Sequence, residues 1–88
     1  MMKLKLSKSA INDLAFWKKA DRKTSQKVTE LLLEILETPY SGKGKPEQLI
    51  GNLSGYWIRR INSKDRIIYS VNEQEGIIFI RSLRKHYE

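Results

Sequence analysis

Along this chain the spacing of apolar residues changes near its middle, from helical to alternating. Lys3 to Leu6, "KLKL", alternate charge with leucine and predict a short strand. Ser7 then offers a helix N-cap, and Ile11, Leu14 and Ala15 follow at helical spacing. Lys18 and Lys19 close that segment, where cations suit the negative end of the macrodipole. Asp21 can cap a second helix carrying an apolar stripe of Val28, Leu31, Leu32, Ile35 and Leu36. Both stripes predict core. Thr38-Pro39 ends the helical part, because the residue before a proline disfavours helix. "YSGKGKPEQL" reads as a loop from its glycines and proline. Beyond it the period becomes two. Tyr56–Ile61, Arg66–Val71 and Ile77–Leu83 predict three strands, and the short polar connections "NSKD" and "NEQEG" predict an antiparallel meander. The expectation is a single α+β domain over residues 1–88, with two N-terminal helices packed on one face of an antiparallel sheet and the other face open.

Composition narrows what such a domain can do. At 88 residues the core is modest, and a chain of this size buries roughly 60–65% of the surface it exposes when unfolded. There is no cysteine, which excludes disulfide frameworks, thiolate metal sites and cysteine nucleophiles. One histidine and no suitable cluster of carboxylates argue against a metal site, and no cofactor is expected. No apolar run reaches membrane-spanning length and the start has no signal-peptide pattern, so a cytoplasmic protein without a membrane partner is expected. Seventeen Lys+Arg against ten Asp+Glu give a net charge of +7, which favours polyanionic partners. Five of the six arginines (Arg59, Arg60, Arg66, Arg81, Arg84) lie in the last third, which makes that part the expected contact surface.

Within it, an arginine pair should straddle the first hairpin. An even loop at "NSKD" sets Arg66 on the face of Arg59, and an odd loop sets it on the face of Arg60. Tyr56, Trp57 and Tyr69 read as core or cross-strand packing. Lys43 and Lys45 flank Gly44 in a loop able to cradle phosphate, although the P-loop spacing is absent. Glu47 follows the loop proline, and His86-Tyr87 stand at the end of the last predicted strand. A glutamate, a histidine and nearby arginines are the minimum parts for cleaving RNA without a metal: a base for the ribose 2′-hydroxyl, an acid for the leaving oxygen, and cations for the phosphorane.

The stretch Thr38–Val71, "TPYSGKGKPEQLIGNLSGYWIRRINSKDRIIYSV", together with the terminal "HY", resembles the YoeB-type toxins of the RelE superfamily, the toxin halves of bacterial type II toxin–antitoxin pairs. The similarity covers essentially the whole chain. It implies a RelE-like microbial RNase fold and cleavage of messenger RNA in the A site of the 70S ribosome. It also implies inhibition by a cognate acidic, YefM-like antitoxin, with a homodimer as a further expected assembly. By that likeness Glu47 is the general base, His86 the general acid and Arg66 the transition-state cation, while Tyr87 orients or stacks on substrate. Arg59 and Arg60 match the family's paired arginines, at least one of which is expected to hold the RNA backbone, and both stand with Lys43, Lys45 and Arg84 as candidate RNA contacts. Ile50 stands where relatives often carry a base, and Glu88 extends the chain past the tyrosine at which many relatives end. The alternative is a non-catalytic toxin of the same fold that blocks the ribosome or another target such as gyrase.

Overall fold

A computed structural model describes residues 2–84 of the chain. His86 and Tyr87, to which the acid and orienting roles fall by resemblance, lie outside the described residues, as does Glu88. The described elements are β1 (Lys3–Leu6), α1 (Lys8–Ala20), α2 (Arg22–Glu37), β2 (Glu47–Gln48), a 3₁₀ turn (Gly51–Leu53), β3 (Trp57–Arg60), β4 (Arg66–Asn72) and β5 (Ile77–Ser82). The expected caps form. The Ser7 side chain accepts from the Ala10 amide at 2.9 Å, and the Asp21 carboxylate accepts from the amide and hydroxyl of Thr24 at 3.1 and 2.8 Å. Asp21 also closes α1 by donating its amide to the Trp17 carbonyl.

The sheet order is β1-β5-β4-β3-β2. Its pairs are antiparallel from β2 to β5, but β1 lies parallel to β5, so the sheet is mixed rather than wholly antiparallel. The two helices separate β1 from the other strands in sequence, so no tight hairpin dictates its direction. Its register sets Leu4 and Leu6 opposite Ile78 and Ile80, which puts both leucines on the helix-covered face. Glu47, expected in a loop, begins a short edge strand paired to Trp57 and Ile58.

One face of the sheet meets the helices. Ile61, Ile67, Tyr69, Ile78, Ile80 and Leu83 pack there with Val28, Leu31, Leu32 and Ile35 of α2 and Ala10 and Trp17 of α1. The α2 stripe buries as expected, with Leu36 at its margin. Of the α1 stripe only Leu14 packs against that core. Ile11 is 56% exposed and Ala15 is exposed, because α1 turns its Ala10–Trp17 edge to the sheet. Trp17 fixes that rotation, since its indole N–H reaches the carbonyl of Leu83 at 2.8 Å.

Candidate active site on the open sheet face

Residues paired in register point to the same side of a sheet, and faces alternate along each strand. Glu47, Ile58, Ile68 and Ser82 therefore form one row across β2, β3, β4 and β5 on the face away from the helices. Arg60 and Arg66 are direct partners, two residues along from Ile58 and Ile68, and share that face. Five residues separate this pair, so the loop is odd and parity selects Arg60 rather than Arg59 as the companion of Arg66. Glu47 and Arg60 are exposed and Arg66 is half-buried. The row spans three inter-strand gaps, roughly 14 Å between the Cα atoms of Glu47 and Ser82.

Arg66 is pinned at the hairpin. Its Nη1 donates to the carbonyls of Asn62 (2.6 Å) and Asp65 (3.0 Å). Both bonds use one nitrogen, so Nε and Nη2 have no acceptor among the described residues and remain available for a bidentate anion contact. The turn is set by Asn62, whose side-chain oxygen accepts from the amides of Lys64 and Asp65.

Arg59 departs from expectation. It is fully buried on the helix-covered face and is not a surface contact for RNA. Its Nε donates to the Tyr69 hydroxyl (3.1 Å), Nη1 to the Lys43 carbonyl (3.1 Å) and Nη2 to the Thr38 carbonyl. Tyr69 passes the network on, donating its own hydroxyl to the Pro39 carbonyl at 2.6 Å. Burial pushes the Tyr69 phenol above its ordinary pKa, opposed by the Arg59 bond, so it stays a neutral donor. Thr38 is the C-cap of α2, whose last turn holds no basic residue. The sheet thus supplies through Arg59 the cation that this helix end lacks locally.

The same bonds staple residues 38–44 to the core immediately ahead of Glu47. Gly44 completes the staple: its carbonyl accepts the Arg60 amide at 2.7 Å, and a Cβ there would come within 3.2 Å of the Arg60 carbonyl. Its φ of +85° also favours glycine. Lys45 has φ of +51°, an uncommon conformation for a side-chain-bearing residue, two positions before Glu47. Lys43 and Lys45 are exposed but line a groove of about 490 Å³ with Lys27, Glu30, Glu34 and Arg60, on the α2 side of the hairpin.

Arg84 also departs. Its guanidinium lies 3.5 Å from the Phe16 ring centroid, against α1 rather than on the open face. It belongs to a clasp that the sequence analysis did not foresee. The Ser7 hydroxyl donates to the Arg81 carbonyl (2.6 Å), the Leu83 amide donates to the Asp13 carboxylate (2.9 Å), and the Trp17 indole holds the Leu83 carbonyl. The last described residues are thereby fixed to α1 just before His86. Asp13, the one acid of α1, takes this place because the Ala10–Trp17 edge turns to the sheet, a rotation that the apolar spacing did not signal.

Two helices on a five-stranded sheet, with bases and an acid on the uncovered side, define a small α+β domain with a charged open face. A solved "YoeB/ParE toxin from Agrobacterium tumefaciens" superposes with a TM-score of 0.93 at 36% identity, covering 98% of this chain and all of that one. The toxin–antitoxin complex of YoeB and YefM from Staphylococcus aureus aligns with a TM-score of 0.85 at 36% identity over 99% of both chains. In sequence, "Toxin RelK" of Mycobacterium tuberculosis is 42% identical over 99% of this chain and its own full length. The family profile described as "YoeB-like toxin of bacterial type II toxin-antitoxin system" matches residues 6–87. The chain belongs to that family.

Proposed function

We propose that this toxin is a ribosome-dependent endoribonuclease that cuts messenger RNA in the A site by attack of the substrate's own 2′-hydroxyl. Glu47 removes the proton, Arg66 stabilises charge on the phosphorane, His86 protonates the leaving 5′-oxygen and Tyr87 orients the substrate. Arg60 holds the backbone beside them. The observation that carries this reading is the arrangement of the open face, where an exposed carboxylate shares one side of the sheet with an arginine pair. A carboxylate is a weak base for a hydroxyl. The ribosome therefore supplies much of the rate by holding the message in line, an effect of up to roughly 7–11 kcal/mol.

The partner that silences the toxin is an acidic antitoxin whose charge complements the open face, by analogy with the YefM-bound relative. Primer extension on translated messages after induced expression tests the reaction. Wild type leaves a cut within the occupied codon, and Glu47→Ala, Arg66→Ala and His86→Ala each reduce cutting by at least about a hundredfold while remaining folded. Undiminished cutting by folded His86→Ala removes the acid assignment. Ribosome arrest without any cut makes the protein a blocking toxin instead.

A further inference from the structure

The open face holds a cation to which the proposed reaction gives no role. In the β4–β5 ladder Ile68 pairs with Ser82 and Tyr69 with Ile80, so Arg81 is the extra residue of a β-bulge. Bulges re-aim side chains, and here the Arg81 guanidinium swings over the Tyr56 ring, 5.3 Å from its centroid. The bulge is anchored from behind, because its carbonyl accepts the Ser7 hydroxyl. Arg81 is exposed, and among the described residues nothing accepts a hydrogen bond from its guanidinium.

Position gives this pair meaning. The Leu49 amide donates to the Tyr56 carbonyl, extending the β2–β3 ladder past Trp57. Tyr56 therefore falls two residues before Ile58, in a row with Ser70 and Phe79. That row is one period-two step, roughly 7 Å, from the row that begins at Glu47. Lys5, exposed and opposite Phe79, carries positive charge on to the β1 edge. Arg84, three residues beyond Arg81, lies against α1 instead, so of these two arginines only the bulged one reaches the open face.

We propose that Arg81 and Tyr56 form a subsite for the RNA nucleotide next to the scissile phosphate. The guanidinium lies over the ring within cation–π range, where its N–H groups can meet a phosphodiester and the aromatic can take a base. This subsite rests on the RNase reading of the same face. An aromatic beside an arginine whose guanidinium finds no acceptor among the described residues suits base stacking plus phosphate recognition, whereas an acidic peptide would use the charge and leave the ring without a role.

The test measures binding of a fully 2′-O-methylated single-stranded RNA, which cannot be cut, to the full chain across a salt series. Cleavage of translated messages is followed in parallel. Arg81→Gln should weaken binding roughly tenfold and reduce the salt slope by about one, while Arg22→Gln, the same charge removed from the helical side, should change neither. Arg81→Lys should restore the slope but only part of the affinity, since it keeps charge and loses the planar fork. Wild-type cleavage together with unchanged RNA binding by Arg81→Gln overturns the subsite and leaves the RNase reading standing. A variant that keeps its RNA affinity but loses affinity for poly-L-glutamate also overturns it, in favour of an acidic peptide. If wild type neither binds RNA nor cuts, both readings fall together.

Discussion

Arg59 and Arg60 are neighbours in sequence and opposites in use. One is sealed beneath the sheet, where it ties α2, the 38–44 segment and Tyr69 together. The other lies on the open face across from Arg66. The helix-covered face answers a charge by bonding each guanidinium nitrogen to a carbonyl or a phenol, whereas on the open face, among the described residues, Arg66 bonds through Nη1 alone and Arg81 finds no acceptor. The contrast shows that a basic surface is not a sum of its basic residues. Arginines that look equivalent in composition divide into those that build the site and those that can touch a substrate.

The sharpest way to break that contrast is to exchange the two roles. Arg59→Leu should cost about 3–5 kcal/mol in denaturant unfolding, because it leaves the Thr38 and Lys43 carbonyls without their donor and the Tyr69 hydroxyl with only its bond to Pro39. Arg60→Leu should change stability by less than about 0.5 kcal/mol and instead reduce RNA cutting. Equal stability losses in the two variants would erase the distinction between the faces.

Tyr69→Phe probes the buried side more gently. It removes the bond to the Pro39 carbonyl and the acceptor for Arg59 while keeping the ring, and should cost about 1–3 kcal/mol. It should also change the alkaline limb of stability. The Tyr69 pKa is raised in the folded protein, so its contribution is complete below the ordinary value of 10.0 and is lost as pH climbs from there through the folded value. Unfolding curves between neutral and strongly alkaline pH should therefore fall less steeply in Tyr69→Phe than in wild type.

Gly44→Ala acts on the seam between the faces. A left-handed backbone and the close Arg60 carbonyl predict a loss of about 1–2 kcal/mol, with slower cutting because the 43–45 turn that leads to Glu47 must shift. Normal cutting at reduced stability would separate the loop's fold from its placement of Glu47.

The smallest effect belongs to Asp21, far from either face. Hydrogen bonds from Thr24 lower its pKa below the ordinary 3.8. Its contribution is present above that value and fades as pH falls through the lower folded value. Asp21→Ala should lower the melting temperature slightly at neutral pH, and the difference from wild type should shrink on acidification.

Much of this molecule is legible without coordinates. The caps at Ser7 and Asp21, the α2 stripe, the three long strands and the motif from Thr38 to Val71 are local patterns, set by hydrogen-bonding side chains and by the two residue periods. Local signals also placed Glu47 and Arg66 among the candidates. The rotation of α1 was not legible, because Ile11 and Ala10 are equally plausible inner residues until Trp17 finds the Leu83 carbonyl 66 positions away.

Residue types and the period in which they recur are enough for two helices, a β half and a concentration of arginine near the end. Which arginine faces outward is settled by how the strands meet. That choice depends on whether a turn holds four or five residues, a difference of one that reverses every side chain in the strand. The assembled fold alone makes β1 run parallel to β5, Arg81 bulge onto Tyr56, and Arg59 cap a helix to which it does not belong. Each of these is a contact between segments distant in the chain, and its energy comes from burial and hydrogen bonds that exist only once the sheet and helices have met.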